Sequence, residues 1–513
     1  MTMKKPSDSG RWTSVLLIAV ALCTVSLLGL LIGAELYVLI ALLGGGLLAL
    51  PLLYAGVFGI EDRSGWLFAA TVGVMLIAFA GTWHGVPVGY LMEAAIFGFM
   101  LSSVRKLWQL ARDDGALRCV LALFALYLAC AVASTLLGRS NRIAALWQLQ
   151  YNLKVPLAFA LGMLIVYNER TAATLRLVVG ATWPFFLFFV LAEAAVPGIY
   201  SKIMGASTDY HVNPVLGLSV RLRGPFSHSG YLAMYAAVMA AAACVIWMQG
   251  RGRKWLLVTA IYCGMLVASG QRQETLALVL VFGLLFCIGN RRRPVLLAMT
   301  AFVLLGALAF AGMWMEHMPF GDLAAEWSGS ARHLSERAIL TQNGLIVADR
   351  YFPLGSGLGT YGGAGAQKFD LSLFVELGFT RYWWFRQGLF TVDTYWPSVM
   401  AESGYFGALL MLLTFVAIWW VLLRRSLRAD GEGRTVLLMA LSGITLLLAN
   451  SPTSAAISDP RGAMLVWLLA GCAWRWSVPL AAAVPRRQRA HVHMHAPASA
   501  APAFGAAVPS VQP

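Results

Sequence analysis

Three arginines, an aspartate and their neighbours stand out in a 513-residue chain that is 59% hydrophobic and only 12% charged. Arg221 and Arg223 occur in RLRGPFSHSGYLAMY, directly before a predicted helix whose first turn holds Ser227, His228 and Ser229. Free N–H groups at a helix start, joined by guanidinium forks, suit a phosphate oxygen. Arginines that snorkel to anchor a helix end are the competing reading. Arg272 lies in VASGQRQETLALVL, in a turn of almost no length between two apolar stretches. A cation kept at headgroup depth is what a lipid-linked diphosphate needs, and pairing with Glu274 two residues on is the plainer alternative.

The remaining chemistry is concentrated in one long polar excursion from Glu316 to Glu402. ADRYFPLGSGLGTYGG carries Gly355, Gly357, Gly359, Gly362 and Gly363, which implies turns and close backbone approach. It is not a P-loop, because GxxxxGK[ST] is absent. TRYWWFRQGLFTVDTYW then sets Tyr382, Trp383, Trp384, Phe385, Tyr395 and Trp396 close to Arg381, Arg386 and Asp393. Aromatic faces of this kind stack on sugar rings or form an interfacial belt, and the residues alone leave both open. Glu93 and Glu193 are carboxylates inside apolar stretches, with Glu193 near enough to one end to reach water. Arg139 and Arg142 in GRSNR can bind an anion or form a solvated loop. The seven cysteines all fall in apolar stretches, and neither CxxC nor Cys/His spacing suggests a disulfide framework or zinc. No metal or cofactor is expected.

The elements that must hold these groups follow from hydropathy. A mean hydropathy of +0.72 excludes a soluble domain. About 20 apolar residues cross a bilayer as helix, and fourteen stretches qualify: 12–31, 35–57, 66–83, 86–104, 116–137, 146–167, 174–197, 228–249, 254–270, 272–289, 293–314, 397–423, 435–451 and 461–476. The first is read as a span and not as a cleaved leader, because apolar stretches recur to Trp476. Of 38 basic residues, 24 fall in the two tails and the even-numbered connections, against eight in the odd-numbered short connections or within spans. That bias predicts both termini in the cytoplasm and the long loop outside. The expected organisation is a membrane domain over 1–315, a large, partly helical outer loop over 316–396, a second membrane portion over 397–476 and a disordered cytoplasmic tail over 477–513 containing HVHMH. The net charge of +15 is then mainly orientation plus attraction to lipid headgroups, and needs no nucleic acid.

With these motifs in order, the chain resembles the O-antigen ligase and Wzy-type polysaccharide polymerase superfamily. Arg221 in RLRGPF is similar to the arginine that opens the family's R-x-x-G-x-F segment. Arg272 resembles its second arginine, with Gln271 where Ser is usual. Pro353 to Gly359 looks like P-x-G-x-G, and Asp393 to Gly404 resembles H/D-N-x-y-L-x-x-L-x-E-x-G. Each motif is short, and only their order and shared sidedness make the likeness specific. It implies an all-α polytopic inner-membrane glycosyltransferase of bacteria, with a likeness to GT-C enzymes, that acts on undecaprenyl-diphosphate-linked oligosaccharide. Membrane lipids and a chain-length regulator protein are the other implied partners. Catalytic roles fall to Asp393, Arg272 and Arg221, and substrate contacts to Arg223, His228, Arg337, Gly357, Trp396 and Glu402. The two arginines would neutralise the leaving diphosphate, and Asp393 would orient or deprotonate an acceptor hydroxyl. Ligases carry His at the start of the last block, so Asp393, with Thr394 in place of Asn, favours a polymerase of exopolysaccharide or O-antigen repeat units. A ligase acting on lipid A core is the alternative. A flippase is the other, but it would show two similar halves. An enzyme requires Arg221, Arg272 and Asp393 to converge.

Overall fold

The computed structural model describes residues 107–165, 169–204, 220–289, 335–459 and 462–477. The predicted spans 12–31, 35–57, 66–83, 86–104 and 293–314, together with Glu93, the start of the long loop and the tail from 478, lie outside the described residues. The described residues all belong to one compact unit that extends to Ser477.

All nine apolar stretches predicted within the described part coincide with helices, and no strand occurs among the described residues. In chain order the helices are α1 (Gly115–Leu137), α2 (Arg142–Leu164), α3 (Glu169–Ala181), α4 (Trp183–Ala195), α5 (Pro197–Met204), α6 (Ser229–Met248), α7 (Lys254–Ser269) and α8 (Arg272–Gly289). The loop contributes α9 (Glu336–Arg350), α10 (Ala364–Phe369), α11 (Ser372–Glu376) and α12 (Trp383–Arg386). The chain closes with α13 (Trp396–Ser426), α14 (Gly431–Asn450) and α15 (Ala463–Trp476). Among the described residues six helices are long and apolar enough to cross a membrane, α3 and α4 counting as one, and α7 and α15 are shorter apolar helices.

Local sequence explains the boundaries. The single stretch predicted over 174–197 is two helices, because Pro184 in the first turn of α4 has no N–H to continue α3. Asp114 caps α1 by accepting from the backbone of Ala116 and Leu117. Burial alone would raise its carboxyl, but hydrogen bonds from Arg425 and Trp474 outweigh that and hold it below the usual carboxylate value. Asp114 therefore ties α1, α13 and α15 together at the end of the bundle away from the loop.

Packing joins distant parts of the chain. α2 lies against α15, α1 against α13, and α14 against α6, α8, α13 and α15. Glycine makes the closest of these approaches: a Cβ on Gly162 would overlap the Leu468 carbonyl, and one on Gly471 the Phe159 carbonyl. α6 is so thoroughly enclosed that 78% of its apolar window is buried.

The loop is a small helical cap with a core of its own. Leu340, Tyr361, Phe374, Phe379, Trp384 and Phe385 form its centre, with Tyr361 stacked on Phe374 at 4.8 Å. Of the aromatic cluster, Tyr382, Trp384 and Phe385 join this core, Trp383 is exposed, and Tyr395 and Trp396, at the start of α13, pack against Phe415. The three that join it help to supply the apolar interior on which the segment 335–395 folds.

The cap is fastened to α13 by the glycine-rich segment. Gly404 breaks the helix, with φ 69° and ψ 177°, and frees carbonyls that a continuous helix would use. Ser356 N–H donates to the Ala401 carbonyl at 2.8 Å and Gly357 N–H to that of Glu402 at 3.0 Å. The Glu402 side chain returns the contact, accepting from Gly359 N–H at 2.9 Å. Gly355, at φ 86°, lies so close that a Cβ there would stand 2.5 Å from the Gly404 nitrogen.

Candidate functional site

The site is built where the N-terminal ends of α6 and α8 meet the cap. Arg221 stands on the segment leading into α6, and Leu222 N–H donates to the Ala268 carbonyl at 3.3 Å. That bond lays the arginine segment beside the turn between α7 and α8, where Gly270 takes a left-handed φ of 66° as the C-cap of α7. Gln271 Nε2 donates to Ser229 Oγ at 2.7 Å, which brings the start of α8, and with it Arg272, to the start of α6. His228 is the N-cap of α6: its Nδ1 accepts from Gly230 N–H at 3.0 Å.

The cap supplies the other side. Arg337, in the first turn of α9, places its Nε 2.6 Å from Asp393 Oδ2. Both side chains keep about a third of their surface in solvent, so the pair forms an accessible edge. The Asp393 N–H donates to Phe390 C=O at 3.2 Å, closing the tight turn that presents the carboxylate. Between the two sides stands Glu274. Its carboxyl feels the charges of Arg337, Arg221 and Asp393 together, so these four groups share one electrostatic neighbourhood. No ion pair joins Glu274 to Arg272, and Glu274 Oε2 is buried without a hydrogen-bond partner.

Asn450 lies at nearly the depth of this cluster, although nothing in its local sequence marks it. Arg434 Nη2 donates to the Ile288 carbonyl at 3.2 Å and so sets the antiparallel register of α8 and α14. At 1.5 Å per residue, Glu274 then lies roughly 21 Å and Asn450 roughly 24 Å from that contact, at nearly the same depth. Both amide atoms of Asn450 are buried without partners. Leaving such a group unsatisfied costs about 1–3 kcal/mol, which marks it as a position held for something other than stability.

Other expected site residues have contacts within the scaffold. Arg223 is buried, with its Nε 3.7 Å from Glu193 Oε1 and its side chain over the Tyr200 ring. Glu193 does not reach water as its sequence position suggests: it accepts from the backbone N–H groups of Arg223 and Gly224, both at 2.8 Å, and so shapes the turn beside Arg221. Gly357, at φ 102°, lies against Ser140, where a Cβ would overlap the hydroxyl. Trp396 is buried and its Nε1 donates to Ser451 Oγ at 2.9 Å. Glu402 is the latch of the glycine segment. Arg139 pairs with Glu376, which also bonds Arg350 at 2.7 Å. The Arg139 hydrogen bond and charge, with Arg350 behind them, hold Glu376 below the usual carboxylate range.

Among the described residues, no group of three or more His, Cys, Asp or Glu side chains could hold a metal ion. What the cluster offers is two arginines on the membrane side for an anionic group, facing a carboxylate and a third arginine on the cap. No family model matches the chain. Over 322 residues the chain is 26% identical to the Exopolysaccharide production protein ExoQ of Rhizobium meliloti (strain 1021), an alignment covering 59% of this chain and 66% of that protein. The match thus spans just under two thirds of the relative's own length.

Proposed function

We propose that the chain is a membrane glycosyltransferase of exopolysaccharide biosynthesis that polymerises oligosaccharide repeat units carried on a polyprenyl diphosphate. The observation that carries this reading is the approach of the Arg221 and Arg272 segments to the Arg337–Asp393 pair around Glu274. The similarity to a protein named for exopolysaccharide production supports the same class of pathway. Arg221 and Arg272 neutralise the departing diphosphate, whose charge otherwise holds it to the sugar. Asp393, with Arg337 fixing its orientation, aligns the acceptor hydroxyl for attack on the anomeric carbon. Base assistance of this kind is worth about 10² to 10⁴ in rate. The reaction takes place on the outer face of the inner membrane, with both chain termini in the cytoplasm.

Deleting the gene and examining the glycans on the carrier and at the cell surface tests the reading. Single repeat units accumulating on the carrier, with surface polymer lost, are expected. Long chains accumulating on the carrier would mean a ligase, and unchanged glycans would remove the protein from this pathway.

A further inference from the structure

At the end of the bundle opposite the cap, a cavity of about 540 Å³ opens between α3 and the start of α7. It has two parts of different chemistry. Arg176, Arg251 and Lys254 gather at its polar end. Ala173, Leu177, Gly180 and Ala181 run along α3 at the spacing of one helical face and make an apolar furrow, with the Trp255 ring as its floor. Gly180 is needed there, since a Cβ would stand 3.1 Å from the Trp255 ring. Leu177 and Leu257 are 66% and 64% exposed, as suits side chains that face hydrocarbon.

Among the described residues, Glu432 is the carboxylate that pairs with these cations. Arg176 Nη1 lies 2.8 Å from Glu432 Oε1, and Arg251 also pairs with it. Among the described residues, three cations against one carboxylate leave two positive charges at the mouth of an apolar furrow. Internal pairing alone would leave neither this excess nor the furrow, whereas an anionic headgroup with its chain lying on α3 matches both.

We infer that this cavity is a binding site for an anionic phospholipid, its phosphate held by Arg251, Lys254 and Arg176 and one acyl chain laid in the Leu177–Gly180–Ala181 furrow. Basic pockets between membrane helices recognise headgroups in this way. Glu432 competes with the phosphate for Arg176 and Arg251, so it limits affinity and makes binding reversible. The site is remote from Arg221, Arg272 and Asp393 and does not depend on the reaction proposed for them.

The test uses the full chain in nanodiscs of phosphatidylcholine alone or phosphatidylcholine with phosphatidylglycerol, with bound lipid counted by native mass spectrometry after extraction. The wild type is expected to retain phosphatidylglycerol in preference to phosphatidylcholine. Arg251→Gln and Lys254→Gln should each weaken retention about fivefold, the worth of one basic residue near a charged membrane surface. Glu432→Gln should strengthen it by a similar factor, a gain that a purely structural ion pair would not produce. Equal retention of the two lipids, no change in Lys254→Gln, or weaker retention in Glu432→Gln would overturn the assignment. So would stabilisation by inorganic phosphate equal to that by the lipid, which would identify a site for free phosphate. Lys254 is in none of the ion pairs described, so its variant keeps the test decisive if Arg251→Gln fails to fold.

Discussion

At the scale of single residues, the proposed reaction assigns the diphosphate to Arg221 and Arg272 and the acceptor to the Arg337–Asp393 pair. Arg272→Ala should abolish polymer while the protein stays in the membrane, as read by immunoblot and surface glycan analysis. Full-length polymer from that variant would sink the diphosphate clamp. Arg272→Lys should fail as well, because an ammonium cannot present two parallel N–H donors to a diphosphate. Asp393→Asn keeps a hydrogen-bond acceptor for Arg337 and loses the charge. Its turnover on carrier-linked repeat units should fall by about 10² to 10⁴ if the carboxylate assists the attacking hydroxyl, and wild-type turnover would leave Asp393 a purely structural partner. Arg221 and Arg272 were legible in the sequence because a cation is conspicuous in an apolar chain. Arg223 carries the same signal, yet Glu193, thirty residues earlier, meets it in the core. No local pattern announces such a pairing. Asn450 was illegible for the opposite reason: one asparagine at a helix end is ordinary until its surroundings show that neither amide atom is satisfied.

Among the described residues the apolar helices are readable in the sequence, since a bilayer demands length and apolarity of the helices that cross it. What hydropathy does not reveal is a break inside an apolar run. α13 reads as one continuous span, yet Gly404 opens it, and the glycine segment enters through backbone contacts joined by the Glu402 and Ser356 side chains. The glycines bring backbones close as their spacing implies, Gly355 against α13 and Gly359 against Ala144 of α2. Gly355→Ala should therefore be costly on two counts: about 1–2 kcal/mol for a left-handed φ with a Cβ, and a further clash with the Gly404 backbone. A lowered unfolding midpoint and faster amide exchange across 355–360 would report it, and a wild-type midpoint would show that the two segments can part without loss. The exposed tie between Glu376 and Arg139 gives the cap a mild pH response. A carboxylate whose pKa falls on folding contributes stability above its ordinary value of 4.5 and loses it as the pH drops through the lowered value. Amide protection factors in α11, taken relative to the intrinsic exchange rate at each pH, should accordingly fall under acid and stay unchanged between neutral pH and pH 5, whereas Glu376→Gln should remove the acid dependence.

For the whole molecule, the cap and the Asp114–Arg425 tie mark opposite ends of the bundle. In a background without the native cysteines, a membrane-impermeant thiol reagent should label Gln387→Cys on intact spheroplasts and Arg428→Cys only after permeabilisation. The reverse pattern would invert the orientation on which the proposed chemistry rests. The backbone exchange between the glycine segment and α13 also bears on how the chain is made. Residues 353–359 leave the ribosome before Ala401 and Glu402, the acceptors that the cap needs to close. The cap therefore waits, with its aromatic core unsealed, until the following helix is threaded into the bilayer. Its maturation becomes a checkpoint on membrane insertion: a chain whose α13 has not been inserted has no finished cap to present.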